Sequence, residues 1–340
     1  MDVDARKLRI LQAIVEDYIL SNTPVGSRTL SKTSGLGVSS ATIRNEMADL
    51  TEMGYLIQPH VSAGRVPSAK AYRLYVSRLM PEGMGQEEIE GARRTFTARV
   101  HDLESVDSQA AAAISDLTHY TAMVLTPRQS DLKVRSVHLV PLGGDRALLI
   151  IVTDSGVMRD TSIRVSSRLD SASLYTIGQM LTERMQGRTL RQVREMLYGY
   201  AASSDADARV LSGIAGLAAQ LEKQTESDRV LVGGAHNILY YPEYADVARA
   251  RAFMNALDRQ DSLIALMRPQ ENDGITVRIG TETGIPEFAD CSVITAPYRV
   301  GRGHTGAIAI VGPTRMPYAS MMDLMRMFSQ ELTSLLSVKE

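Results

Sequence analysis

The sequence predicts an α+β protein of more than one domain, and three observations point there. Within the first 80 residues the pattern runs helix, helix, turn, helix, hairpin. Beyond residue 130, strand-like runs are interrupted by a helical stretch and then resume, as expected of an α+β domain with a helical insertion. At 340 residues, 44% hydrophobic and 22% charged, the chain has the length of two or three domains and an ordinary globular composition.

The elements follow in order. Leu11, Ile14, Val15, Tyr18 and Ile19 recur at helical spacing within residues 6–22. Pro24 and Gly26 break that helix, and Ser27 is placed to cap a short second one through Ser34. Gly35-Leu36-Gly37 is a turn, and Ser39 or Ser40 caps a third helix running to about Met53, where Gly54 ends it. Extended runs at Tyr55–Pro59 and Arg65–Pro67 flank a small tip, Ser62-Ala63-Gly64, and a fourth helix covers Ala69–Leu79. This is the chain order of a winged helix. After a Pro/Gly linker at 81–85, Ile89, Phe96, Leu103, Ala110 and Leu117 repeat every seven residues, which predicts one long helix over 86–122; it either pairs with a second copy or packs on its own domain. Three strands fall in 133–166, helices in 171–229 with a polar break at Ser203–Asp207, and a strand at Val230–Val232. Helices near Ala245–Asp258 and Asp261–Met267 precede strands at Ile275–Ile279, Cys291–Pro297 and Gly306–Val311, and a last helix spans Tyr318–Leu336.

Composition narrows the function. Residues 1–80 carry a net charge of +3 and residues 81–340 carry −5, a weakly basic head on an acidic body. Trp is absent and Phe scarce, which argues against stacking platforms for single strands. Cys291 is the only cysteine, so no intrachain disulfide and no CxxC metal knuckle can form. The chain opens Met1-Asp2-Val3-Asp4, with acids where a signal peptide needs cations, and contains no long apolar run. A cytoplasmic protein without membrane contact is expected.

The third helix carries the chemistry. Ile43, Met47 and Leu50 form a narrow apolar stripe, while Ala41, Arg44, Asn45 and Ala48 occupy the opposite face with Thr42 at its margin and Ser40 at its start. Small residues let a helix sit deep in a major groove, where Arg matches guanine O6/N7 and Asn matches adenine N6/N7. The competing reading is a plain solvated face. The hairpin directly behind it tilts the balance, because His60, Ser62 and Arg65 put hydrogen-bonding groups and a cation on a wing that can lie along the DNA backbone or enter the minor groove. Ser27 and Arg28, at the start of the second helix, join the candidate set.

Pro24-Val25-Gly26-Ser27-Arg28, Ala41-Thr42-Ile43-Arg44-Asn45-Glu46-Met47, Gly54-Tyr55-Leu56, Gln58-Pro59-His60 with Ser62-Ala63-Gly64-Arg65, and Tyr72-Arg73-Leu74-Tyr75-Val76 closely resemble the heat-inducible transcription repressor HrcA family. Ile279-Gly280 with Glu282, and Val311-Gly312-Pro313-Thr314-Arg315-Met316 with Tyr318, are also similar to it. The sequence departs from the family pattern at Val61, Ser68 and Thr283. The resemblance implies a winged helix, a GAF-like domain interrupted by a dimerisation insert, an inverted-repeat operator upstream of chaperone operons, and modulation by the GroE chaperonin. The expected division is 1–80 for DNA binding, 81–85 as linker, 86–168 and 230–340 as the GAF-like domain, and 169–229 as the inserted dimerisation domain.

Other functions leave weaker traces. Gly301-Arg302-Gly303-His304-Thr305-Gly306 spells a dinucleotide motif, but it lies between two strand-like runs and reads as a hairpin connection. No pair of histidines has metal-ligand spacing, and Ser155-Gly156 and Cys291 lack a nearby base, so neither catalysis nor a cofactor is expected. Cys291 opens an apolar strand and reads as a small core residue. Arg315 either binds an anion or ties the last helix to the sheet. The alternative function is a metabolite-responsive winged-helix regulator whose GAF-like domain holds a small ligand. An enzyme with a DNA-binding head, or a winged helix used for protein contact, are further rivals.

Overall fold

The structure, a computed structural model, describes residues 3–61, 63–100, 106–127, 132–154, 158–166, 169–200, 208–225, 228–269, 274–300 and 304–336. It is α+β. The head begins with α1 (Ala5–Ser21), capped by the Asp4 carboxylate, which accepts from Lys7 N at 2.8 Å. Helix α2 (Ser27–Thr33) follows, with Gly26 in the N-cap position and Ser27 as the first helical residue, one place earlier than expected. Helix α3 (Ser40–Glu52) is capped by Ser39, whose hydroxyl accepts from Thr42 N at 3.1 Å. Strands β1 (Leu56–Ile57) and β2 (Val66–Pro67) pair antiparallel, shorter than the sequence suggests. Helix α4 (Ala69–Leu74) ends in a π-helical turn, Tyr75–Leu79, instead of running on as α-helix.

The single long helix expected over 86–122 is three elements. Helix α5 (Gln86–Arg99) stops at Val100, whose φ −108°, ψ 85° leaves the helical region. Helix α6 (Val106–Thr118) is separate, and Thr121–Thr126 is a strand, β3. Leu103, the middle of the supposed seam, lies outside the described residues. Phe96 does not face a second copy: it packs on Phe328, ring centroids 4.9 Å apart.

The next strands, β4 (Val134–Gly143), β5 (Arg146–Thr153) and β6 (Met158–Arg164), among the described residues pair only with one another. They share a core with α7 (Ser171–Met185), α8 (Leu190–Tyr200) and α9 (Ala208–Thr225), built from Val137, Leu139, Leu149, Ile151, Leu181, Val193, Ile214 and Leu217 among others. The expected border at 169, with strands of 86–168 in the main sheet, is therefore displaced. Sheet membership is decided by long-range pairing, and the strands of 134–164 find their partners among themselves. Thr182 of α7 both donates to Val137 O (3.0 Å) and accepts from Val137 N (2.9 Å), so the helix covers the edge of β4. The polar break at 203–207 lies outside the described residues.

The main sheet is antiparallel in the order β7 (Arg229–Gly233), β3, β10 (His304–Pro313), β9 (Cys291–Val300), β8 (Thr276–Ile279). Residues 301–303 of the glycine motif, outside the described set, connect antiparallel neighbours β9 and β10, as a hairpin requires. Alternation gives two apolar faces. Met123, Leu125, Val293, Ala309 and Val311 face α10 (Val247–Leu257) and α11 (Gln260–Met267). Ala122, Val124, Ile294, Ala296, Ile308 and Ile310 face α6 and α12 (Tyr318–Leu336), in one apolar cluster that continues into the head through Ile10, Ile14, Ile43, Leu50 and Tyr72. Cys291 is buried, its Sγ 2.7 Å from Tyr244 Oη, and burial pushes its thiol up to about 12.

Head and body are thus packed together. Tyr72 is 1% exposed and tilts against Tyr318, centroids 6.0 Å apart. Arg73 grips Glu282 with two guanidinium nitrogens, Nε at 2.9 Å from Oε1, and donates from Nη2 to Val277 O at 2.6 Å. The 81–85 linker is docked as well: Met84 N donates to Asp323 Oδ2 at 3.0 Å, and a Cβ on Gly83 would collide with that carboxylate. Tyr72 Oη is buried without a hydrogen-bond partner among the described residues. Tyr72→Phe is therefore expected to be neutral or stabilising by about 1 kcal/mol, whereas Tyr72→Ala should cost about 3–5 kcal/mol. Chemical denaturation of both variants checks this, and a costly Tyr72→Phe would contradict the packing.

Candidate nucleic-acid interface

Helix α3 separates its residues as the apolar stripe requires. Ile43, Met47 and Leu50 are buried, while Ala41, Arg44, Asn45 and Ala48 are exposed on the opposite face. Ser40 and Thr42 are half-buried, and the Thr42 hydroxyl lies 2.9 Å from Ser39 Oγ, part of the cap. In α2, Ser27 is half-buried and Arg28 exposed. Among the described residues neither Arg28 nor Arg44 has an ion-pair partner, so both cations face solvent uncompensated.

Two acids of α3 are drawn toward α1 and away from that face. Glu46 is buried and accepts Lys7 Nζ at 2.7 Å, and Asp49 accepts the same ammonium at 3.1 Å. Hydrogen bonds that the ammonium donates to these two carboxylates raise the Lys7 pKa above the ordinary lysine value. The result is a lysine locked under α3 and two carboxylates whose charge is spent inside the module. Residues near the start of α1 thus set the electrostatics of a helix more than thirty positions later, a pairing no local pattern announces.

The ribbon is braced at both ends. Val25 and Arg65 exchange backbone hydrogen bonds at 2.8 and 2.9 Å, and Gly64 approaches the Pro24–Val25 carbonyls so closely that a Cβ would not fit. At the tip, Gln58 Nε2 donates to Val61 O at 2.8 Å, His60 is exposed and Val61 is 99% exposed. Ser62 lies outside the described residues. Arg65 sits at the base of the ribbon and not at its tip. Its half-buried side chain donates from Nε to Thr51 Oγ1 of α3 at 3.0 Å. Arg65 therefore fixes the angle between ribbon and helix. Lys70, which the sequence did not single out, lies over the Tyr55 ring at 4.3 Å and donates to Met53 O, capping the end of α3.

The candidate residues thus divide. The exposed face of α3 and Arg28 are open to solvent, and His60 lies out on the ribbon. Thr42 and Arg65 are held by internal partners. Arg315 pairs with Glu243 (2.5 Å) beneath the Tyr241 ring, so its guanidinium is engaged within the body. Thr283, which departs from the family pattern, keeps its turn by donating to Gly280 O at 2.9 Å.

Comparison with known proteins places this geometry. A family model for the HrcA protein C-terminal domain matches residues 104–322. The heat-inducible transcription repressor HrcA of Ruminiclostridium cellulolyticum is 40% identical, with 99% of each chain covered. Those of Acetivibrio thermocellus and Symbiobacterium thermophilum are 38% and 36% identical, covering 95% and 98% of this chain and 93% and 98% of theirs. A crystal structure of a hypothetical protein at 2.2 Å superposes with a TM-score of 0.73 at 27% identity, covering 98% of this chain and 99% of the other. The class these relatives define is that of transcription repressors. Within it, the chain belongs to the HrcA family of heat-inducible repressors.

The Lys7 anchor yields a ranking. Glu46 is 9% exposed, whereas the Asp49 side chain is 47% exposed. Removing the buried partner leaves the half-buried ammonium with only the more exposed Asp49 and Asp4, whereas removing Asp49 leaves the buried Glu46 pair in place and lets water fill the gap. Glu46→Ala should lower the thermal midpoint more than Asp49→Ala in circular-dichroism melting, and the reverse order would contradict the assignment.

Proposed function

We propose that this chain represses a heat-shock operon by binding an inverted-repeat double-stranded DNA operator as a homodimer. In this reading residues 1–80 are a winged helix, α3 enters the major groove, and the ribbon is the wing. The observation that carries it is the division of α3 into a buried Ile43/Met47/Leu50 stripe and an exposed Ala41/Arg44/Asn45/Ala48 face. Small residues at 41 and 48 permit close approach, Arg44 and Asn45 carry the bidentate chemistry that reads base edges, and Arg28 supplies a phosphate contact. Ser27 and Ser40 add hydroxyls at helix starts. His60 and Ser62 reach the backbone from the wing, and Arg65 aims it. Thr42 contributes through the cap.

The body in this reading is the GAF-like domain, with residues 132–225 as the inserted dimerisation domain, because those strands and helices share a core of their own. The sheet face away from α7–α9 carries half-exposed Leu148, Ile150 and Val152, with exposed Val140 beside Leu148 and Met158 beside Val152. A second copy of this face is the occupant proposed for it, because an inverted repeat calls for a two-fold protein. Tethering the two heads raises avidity by roughly 10²–10⁴ over a single site. Modulation by the GroE chaperonin enters through the family resemblance. It is tested by whether chaperonin tightens the operator complex.

Two measurements test the reading. In a gel-shift series on the upstream operator, Asn45→Ala and Arg44→Ala should each cost about 1–3 kcal/mol and relax sequence preference. Unchanged affinity and preference for Asn45→Ala would remove α3 from the groove. In sedimentation, Ile150→Asp should leave the chain folded but monomeric, because the side chain is already half-exposed. A dimeric Ile150→Asp would move the interface off this sheet.

A further inference from the structure

Between α11 and the turn after β8 lies a cleft of about 290 Å³, with Arg259, Ser262, Arg278, Thr283, Gly284 and Ile285 on its walls. Its electrostatics favour an anion. Arg259 shares its charge with Glu287 at 2.5 Å. Arg278 donates one Nη to Leu266 O at 2.7 Å, closing the end of α11, and no carboxylate pairs with it among the described residues. One guanidinium therefore lines the cleft with its charge uncompensated, and Ser262 lines the same cleft. A guanidinium fork matches carboxylate and phosphate oxygens, and the cleft is of small-ligand size.

The cleft adjoins the head's clamp. Arg73 of the head holds two points on the body, Val277 O and the Glu282 carboxylate. The next residues in the chain, Arg278 and Thr283, form walls of the cleft. The segment between them is knit into one unit: Ile279 N donates to Glu282 Oε2 at 2.8 Å, and the Thr283 hydroxyl donates to Gly280 O at 2.9 Å. Whatever draws on Arg278 and the 283–285 backbone from one side bears on the groups that hold Arg73 from the other.

We propose that this cleft binds a small organic anion carrying a carboxylate or a phosphate, and that its occupancy is transmitted through the 277–283 turn to Arg73 and so to the setting of the head. An occupant shifts the clamp only to the extent that it binds the clamped and released arrangements unequally. That this setting bears on operator binding rests on the function proposed above; the binding and its transmission do not.

The test uses the full chain without DNA. Calorimetric titrations with inorganic phosphate and, separately, citrate, in chloride at matched ionic strength, should show saturable binding, and the tighter of the two names the source chemistry. Arg278→Gln should weaken it roughly ten-fold or more, the loss of one charge-assisted contact. Since Arg278 also closes α11, Ala265→Phe, an exposed position on the cleft wall, should block binding with every charge in place. Hydrogen exchange should then show protection of 277–286 on saturation and altered exchange in 69–80. Arg73→Gln should keep the first and lose the second. Failure of both anions to saturate, or wild-type binding by both cleft variants, overturns the site. Exchange in 69–80 that ignores a saturating anion overturns the transmission. Neither result touches the operator reading, which stands or falls on the gel-shift series.

Discussion

The Tyr72 ring, sealed against Tyr318, is the contact on which the arrangement of the molecule depends. It joins the apolar stripe of the head to the face of the main sheet covered by α6 and α12, so one core runs from Ile10 to Leu332. The Arg73–Glu282 pair beside it has side chains about 40% exposed. Exposed ion pairs contribute roughly 0–1 kcal/mol, against about 3–5 kcal/mol for a buried aromatic ring, so packing holds the head and the clamp sets its angle. Burial pushes the Glu282 carboxyl up, but the hydrogen bonds from Arg73 and Ile279 N and the Arg73 charge outweigh it and hold the pKa below the ordinary value. The clamp's contribution is therefore complete at neutral pH and fades only as acid protonates Glu282 through that lowered pKa.

This construction has a consequence for any dimer. In the proposed dimer, two α3 helices placed on half-sites roughly 34 Å apart need a fixed separation and a fixed tilt. A head on a free tether would supply neither. Here Gly83 and Met84 are seated on Asp323, and the head has no slack at its junction with the body. The insert, with its separate core under β4–β6, is the part free to specialise in assembly without disturbing that junction.

What the sequence made legible was local. The stripe of Ile43, Met47 and Leu50, a serine cap at 39 or 40, the exposed face of α3 and the burial of Cys291 all follow from spacing and residue type. What stayed hidden was decided at long range. Thr121–Thr126 continues an apolar repeat without a break, so nothing local distinguishes strand from helix. The strands of 134–164 look like those of 276–311, and only pairing sorts them into two sheets. Lys7 with Glu46, Thr51 with Arg65, and Arg73 with Glu282 are partners far apart in the chain, and no single sequence marks such pairs. Arg65 was legible as a cation beside a hairpin, but its role as a brace depended on where Thr51 lies.

The shared core is tested most directly by native-state hydrogen exchange in rising denaturant, resolved by segment. The account predicts that α1, α3, β9 and β10 open together with one free energy, while β5, α7 and α9 open with another. A head whose amides exchange as an independent unit, well below the opening energy of β9 and β10, would contradict it.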